Sequence, residues 1–361
     1  MPRTEGEDPG TPTRGRGAVL TPSPRFDAVS REDFDDGWSA DDEMPRLVTT
    51  VTEEHARTIL SRNTSPDIPF DQSLNPYRGC EHGCVYCYAR PTHAYLGLSP
   101  GLDFESRLFA KVNAVELLRK TLAAPRYRCA PIGLGANTDA YQPIERRYAL
   151  TRGIIALLAE TSHPFTLVTK SALIERDIDL LRPMSRSNLV EVFVSVTTLD
   201  HALARRLEPR ATAPRRRLET IRRLADAGIP VGVMVAPIIA GLNDPEVEAI
   251  VAAATEAGAS ASAYVVLRLP LELSAMFQAW LAAHYPLRAG KVMSLARAQR
   301  GGRDYDADFA QRMTGSGPFA DLIARRHAQA AARAGLAHTR RSLDTTQFKP
   351  PKPTTGQLAL F

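Results

Sequence analysis

Residues 75–90 read NPYRGCEHGCVYCYAR, and three of the four cysteines in the 361-residue chain, Cys80, Cys84 and Cys87, fall inside this stretch. The spacing is C-x3-C-x2-C, with Gly79 and Gly83 ahead of the first two thiols and tyrosines flanking the third. Four cysteines in so long a chain make no disulfide framework, and three so close together read as metal ligands kept reduced in a cytoplasmic setting. One candidate site is structural zinc, which closes a tetrahedron with four ligands and would recruit His82 or His93. The other is a [4Fe-4S] cluster, for which three cysteines leave one iron open to a ligand, since a fully protein-held cluster takes four.

Outward from the cysteines, short apolar runs alternate with helical patterns. The runs are a first strand at about 72–77, then PIGLGAN (131–137), FTLVTKS (165–171), LVEVFVSVTT (189–198), VGVMVAPII (231–239) and AYVVLRLP (263–270). They are rich in Val, Ile and Leu without strict alternation, as strands buried on both faces are. Helices are expected between them at 112–123, 145–160, 173–183, 214–227 and 245–257. In the fourth, Pro214 opens the helix, Leu218, Ile221 and Ala225 form the apolar stripe, and Gly228 stops it. Six strands alternating with helices imply a parallel α/β sheet, either a barrel or a doubly wound sheet.

The flanks differ from this middle. Residues 1–62 are polar, with Asp27, Glu32, Asp33, Asp35, Asp36, Asp41, Asp42 and Glu43 close together, and read as a mostly disordered acidic arm with short ordered pieces. The packed sheet domain is expected over 63–290, a helical extension over 291–344, and a proline-rich tether ending in an apolar peptide over 345–361. A hydrophobic content of 44% suffices for a core of this size. No run of about 18 apolar residues and no apolar N-terminal core is present, so neither a membrane span nor a secretory signal is expected, in keeping with a cytoplasmic protein.

With Tyr86 immediately before the third cysteine, the stretch resembles the signature of the radical S-adenosylmethionine (SAM) superfamily, C-x3-C-x-aromatic-C. Tyr88 directly after it makes GCEHGCVYCYAR most similar to the spore photoproduct lyase branch, a family of DNA-repair enzymes. The resemblance implies a partial (β/α)6 TIM-type barrel over roughly 70–290, with the loop after the first strand holding a [4Fe-4S] cluster on Cys80, Cys84 and Cys87. It further implies SAM on the open iron, reductive cleavage to a 5'-deoxyadenosyl radical, and a reducing partner such as a flavodoxin or ferredoxin. By position, Thr138 and Asp139 after the second strand would meet the SAM amine or ribose, while Lys170 and Ser195 would meet its carboxylate, with Tyr86 beside the cofactor. Tyr88 is the candidate radical relay. One departure matters: the lyase's donor cysteine follows the second strand, where this chain has Ala136 and Asn137, and the spare Cys129 lies before that strand.

Two further features suggest partners. Arg205, Arg206, Arg210, Arg215, Arg216, Arg217, Arg222 and Arg223 face only Glu208 and Glu219 within 205–223, a candidate nucleic-acid footprint or else a solvated helix face. The chain ends Gln357, Leu358, Ala359, Leu360, Phe361, and Q-L-x-L-F resembles the peptide that bacterial repair and replication proteins insert into the sliding clamp. These features favour a radical SAM enzyme acting on nucleic acid, in repair or modification. The alternatives are modification of a protein or small metabolite, and a non-enzymatic, metal-stabilised clamp-binding module.

Overall fold

Six strands run parallel in sequence order: β1 (Gln72–Leu74), β2 (Ile132–Leu134), β3 (Phe165–Thr169), β4 (Val190–Ser195), β5 (Val231–Ile238) and β6 (Ala261–Val266). The edge strand Leu60–Arg62 adds antiparallel to β1. A computed structural model describes this arrangement for residues 12–26, 47–336 and 341–352. It is the partial (β/α)6 barrel, open between its first and last strands. Strand β4 is buried at every position, as apolar runs without alternation require in a sheet covered on both faces.

Five helices follow the first five crossovers: α1 (Ala114–Leu122), α2 (Leu150–Glu160), α3 (Ile178–Arg186), α4 (Pro214–Asp226) and α5 (Val247–Glu256). Their buried faces join the strands in one apolar core. The expected single helix at 145–160 is instead split at Ala149, whose φ is 50°. The short turn Glu145–Tyr148 precedes the break, and the fully buried Glu145 accepts the Thr151 amide at 2.9 Å, capping α2 with a carboxylate. The expected helix at 173–183 likewise begins as a 3-10 turn, Ala172–Asp177, with Ser171 accepting the Leu173 amide.

The C-terminal helices do not form a separate extension. Helix α6 (Leu273–His284) buries Phe277, Trp280 and Leu281 against Cys84, Val85 and Tyr86 of the cysteine loop, and α7 (Pro286–Ala298) adds Val292 and Met293. A boundary at 290 therefore cuts through α7. Helix α8 (Pro318–Arg333) packs on α5 and β6 and takes the place of the barrel's sixth helix.

Both flanks contribute ordered segments that polar composition concealed. Residues 12–18 lie over the cysteine loop, and Thr50–Glu54 pairs with Arg107–Lys111 in a second, three-stranded sheet with Tyr77–Arg78. At the other end, 341–352 is no free tether. Asn188 Nδ2 donates to the Ser342 carbonyl at 2.8 Å and the Asp344 amide to the Asn188 carbonyl at 3.0 Å. Gln347 Nε2 reaches the Ser187 carbonyl at 2.9 Å, and Phe348 packs tilted against Tyr127 and edge-on to His163, with centroids 5.5 and 5.2 Å away. The rest of the acidic arm from 27 to 46 and the peptide Gln357–Phe361 lie outside the described residues. Among the described residues no helix is long and apolar enough to cross a membrane.

Candidate active site

The cysteine loop leaves the C-terminal end of β1 and is fastened from several sides. Arg90 and Glu105, both fully buried, form an ion pair beneath it. Arg90 Nε also donates to the Cys84 carbonyl at 2.8 Å and its Nη1 to the Pro100 and Gly101 carbonyls at 3.0 Å. Glu105 in turn accepts the amides of Gly17 and Ala18 at 2.9 and 2.8 Å, so the buried charge pair ties the N-terminal segment to the loop. Gly17 is there because nothing larger fits: a Cβ would lie 1.8 Å from the Gly83 carbonyl oxygen. Gly83 itself has φ 67°, where a side chain is disfavoured. Gln142 closes the third side, accepting the Glu81 amide at 2.9 Å and donating to the Gly79 carbonyl at 3.0 Å.

Cys80, Cys84 and Cys87 are free thiols on this loop. Burial pushes all three up from the ordinary thiol range, and Cys80 is pushed further by Asp139, Cys84 and Cys87. Among the described residues no three His, Cys, Asp or Glu side chains converge to hold one metal ion. In an iron-sulfur cubane each thiolate meets a different iron, and Cys87, packed against the apolar clusters that hold Cys80 and Cys84, brings the three thiols together as that group requires. The histidines weighed as zinc ligands are engaged elsewhere. His82 Nδ1 lies 3.4 Å from Asp139, and His93 Nε2 lies 3.0 Å from the Arg107 carbonyl, with its ring edge-on to Phe104 and Phe109.

The strand-end residues gather around the same loop. Thr138 donates to the Tyr77 carbonyl at 3.0 Å. Asp139 accepts from the Lys170 amide and the Thr169 hydroxyl, both at 2.7 Å, and from the Tyr141 amide at 2.9 Å. Burial alone would raise its pKa, but His82 and these donors hold the carboxyl at about 2. Lys170 Nζ donates to Ser195 Oγ at 2.6 Å, stands 3.6 Å from Glu208 and lies 5.7 Å above the Tyr86 ring. Tyr86 donates to Glu208 and lies 3.2 Å from Thr197 Oγ1. Tyr88 is 41% exposed, and its hydroxyl donates to the Ala136 carbonyl. Cys129 stands apart from this site, near Asp344 of the C-terminal segment, and burial raises its pKa to about 11.

Glu208 and Arg217 form the part of the site that charge composition concealed. They are a buried ion pair, and Arg217 also donates to the Ser195 carbonyl at 3.0 Å and the Thr212 carbonyl at 2.6 Å. Counted as part of an arginine-rich surface, Arg217 sits instead on the buried stripe of α4 with Pro214, Ile221 and Leu224, at spacings of three, four and three. That periodicity was the available signal, because an arginine in phase with buried positions needs an internal carboxylate. Arg216 and Arg223 pair with Glu175 and Arg210 pairs with Glu81 of the cysteine loop at 2.8 Å, which leaves Arg205, Arg206, Arg215 and Arg222 as the exposed members with no ion pair among the described residues.

The match to known proteins fits this geometry. Residues 74–254 match the model of the radical SAM superfamily. An uncharacterized protein of Mycobacterium tuberculosis is 37% identical over 232 residues, 64% of this chain and 68% of that one. The chain belongs to the radical SAM superfamily. An uncharacterized protein of Methanocaldococcus jannaschii is 28% identical over 213 residues, 59% of this chain and 76% of that one. Among solved structures, spore photoproduct lyase complexed with dinucleoside spore photoproduct shares the fold with a TM-score of 0.54 at 15% identity, over 79% of this chain and 80% of that one. As a radical SAM enzyme, the chain has a [4Fe-4S] cluster and SAM as its cofactors, and its trio of free thiols, Cys80 and Cys84 buried and Cys87 half-buried, fits the cluster.

Proposed function

We propose that this radical SAM enzyme acts on nucleic acid, in DNA repair or modification. The observation that carries the reading is the exposed arginine surface abutting the cysteine loop. The Arg210 amide donates to the His82 carbonyl at 3.2 Å and the Val85 amide to the Leu207 carbonyl at 3.0 Å, so the exposed Arg205 and Arg206 stand directly outside the loop, with Arg210 tied to it by its ion pair with Glu81. Phosphate is the partner such a surface suits. The shared fold with a lyase complexed with a dinucleoside photoproduct supports the same substrate class.

In this reading Cys80, Cys84 and Cys87 hold the cluster, and Lys170 with Ser195 receives the SAM carboxylate at the ends of β3 and β4. Bound there, the cofactors supply a 5'-deoxyadenosyl radical, made when one electron from a protein such as a flavodoxin or ferredoxin splits a sulfur–carbon bond of SAM, with methionine the other product. The chain's own groups bind, orient and exclude water. Asp139 braces the Lys170 backbone, so that the ammonium faces the loop, and Thr138 lines the same rim with the SAM amine or ribose as its partner. Tyr86 packs its ring beside the cofactor below Lys170. Tyr88 serves as radical relay, since its hydroxyl meets the Ala136 carbonyl, at the place where the lyase branch keeps its donor cysteine.

The test is binding of a labelled oligonucleotide across salt concentrations, with 5'-deoxyadenosine formation measured alongside. Affinity should fall steeply with salt, and Arg205→Glu with Arg206→Glu should weaken it by at least about tenfold. A flat salt profile favours a protein or small-metabolite substrate instead. The terminal Q-L-x-L-F peptide we assign to docking on a sliding clamp, which would bring the enzyme to DNA. Three apolar side chains at roughly 1.5 to 3 kcal/mol each, less the ordering cost, support an affinity on the order of micromolar. Deleting residues 357–361 should abolish retention on immobilised clamp, and unchanged retention would remove that partner.

A further inference from the structure

Arg268 lies just beyond the C-terminal end of β6, and its guanidinium carbon sits 4.8 Å over the ring of Tyr88, the residue after Cys87. The contact spans the seam between the last and first barrel strands, which no strand pairing closes. Its Nε is buried and makes no hydrogen bond, and the side chain's hydrogen bond is from Nη1 to the weakly accepting sulfur of Met313 at 3.4 Å.

The neighbouring arginines differ. Arg300 donates to the Gln311 and Leu267 carbonyls at 2.6 and 2.9 Å. Arg312 forks onto both oxygens of Asp67 at 2.5 and 2.7 Å. The field of Asp67 reaches Arg268, but its oxygens are taken. A thioether is a poor acceptor for a charged donor, and a half-buried guanidinium held only by one suits an anionic oxygen instead. The Tyr88 face below holds the plane of the fork in one orientation.

We propose that Arg268, oriented by Tyr88, is a substrate subsite that takes a backbone phosphodiester of the nucleic acid at the seam of the barrel mouth. The inference rests on the nucleic-acid reading above and names where that substrate is gripped. Two anions compete for the assignment, the phosphodiester and the carboxylate of SAM. The phosphodiester is favoured because Lys170 and Ser195 already present cationic and hydroxyl donors at the ends of β3 and β4.

The experiment uses the reconstituted full-length enzyme, a fluorescent single-stranded decanucleotide, and its counterpart with methylphosphonate linkages that carry no charge. Arg268→Gln should weaken binding of the charged oligonucleotide about tenfold, lower the salt slope by about one, and leave the uncharged counterpart nearly unaffected. Arg268→Lys should recover little, and Tyr88→Leu should give a smaller loss in the same direction. Equilibrium dialysis of SAM and the thermal midpoint should be unchanged in both Arg268 variants. Loss of SAM binding with oligonucleotide binding intact would reassign the anion to the SAM carboxylate and overturn the proposal, as would equal oligonucleotide affinity in wild type and Arg268→Gln. Failure of the wild-type enzyme to bind the oligonucleotide at all would remove the nucleic-acid reading itself.

Discussion

Replacing Cys84 by alanine is expected to abolish SAM cleavage while leaving the protein folded. The thiol is 8% exposed among Val85, Tyr86, Leu203 and Leu207, so the substitution removes one sulfur from an apolar neighbourhood and disturbs packing little. The chemical loss is larger. Deleting a partner behind a metal ligand already costs up to about 100-fold, and deleting the ligand itself should exceed that. Anaerobic reconstitution with iron and sulfide should give a colourless Cys84→Ala protein with 5'-deoxyadenosine at the assay floor and a near-native thermal midpoint. A brown variant that still cleaved SAM would show that Cys84 is no ligand. The non-enzymatic alternative is decided by the same substitution, because a clamp-binding module would keep its cellular role without Cys84, whereas an enzyme would lose it.

The second large effect is expected at Arg217. Its ion pair with Glu208 is buried, and Glu208 also meets Lys170 at 3.6 Å, Thr197 at 2.5 Å and the Tyr86 hydroxyl. Burial raises the Glu208 pKa, but Arg217 and Lys170 outweigh it and bring the carboxyl to about 2. Arg217→Met leaves that carboxylate with Lys170 alone, and about 3–5 kcal/mol of stability should go with it, read as a lower denaturant midpoint. Combining Glu208→Gln with Arg217→Met removes both charges and should recover most of the loss. Because the folded carboxyl titrates below its ordinary value of 4.5, its contribution is complete above that pH and is lost as pH falls toward about 2. The wild type should therefore lose more stability than the double variant across that window. Additive single-variant losses would mean the pair is not coupled.

How far these features were legible in the sequence depended on the physics behind each one. Apolar runs such as 189–198 and 231–239 marked β4 and β5 because strands buried on both faces need continuous Val and Ile. The cysteine spacing marked the loop because ligand number and spacing are local properties. Long-range pairings were not legible. Glu145 breaks a helix at Ala149 through contacts with Tyr77 and Arg176, which lie far away along the chain. Arg217 resembled its neighbours in charge, and only its phase on α4 separated it from the exposed arginines. Residues 12–18 looked like disordered chain because their partner, the Arg90–Glu105 pair, meets their backbone amides rather than any apolar side chain. Backbone recognition of that kind leaves almost no mark on composition.

The strap formed by 341–352 gives the molecule two poles. It crosses Ser187 and Asn188, ahead of β4, and the Lys349 amide donates to the Thr161 carbonyl, ahead of β3, at 2.9 Å. It therefore binds the starts of the strands, while the cysteine loop and Arg268 sit at their ends. The nine residues after Lys352 have a contour length of about 30 Å at most. A partner bound at those residues would therefore sit within that distance of the strand starts, at the pole opposite the cysteine loop.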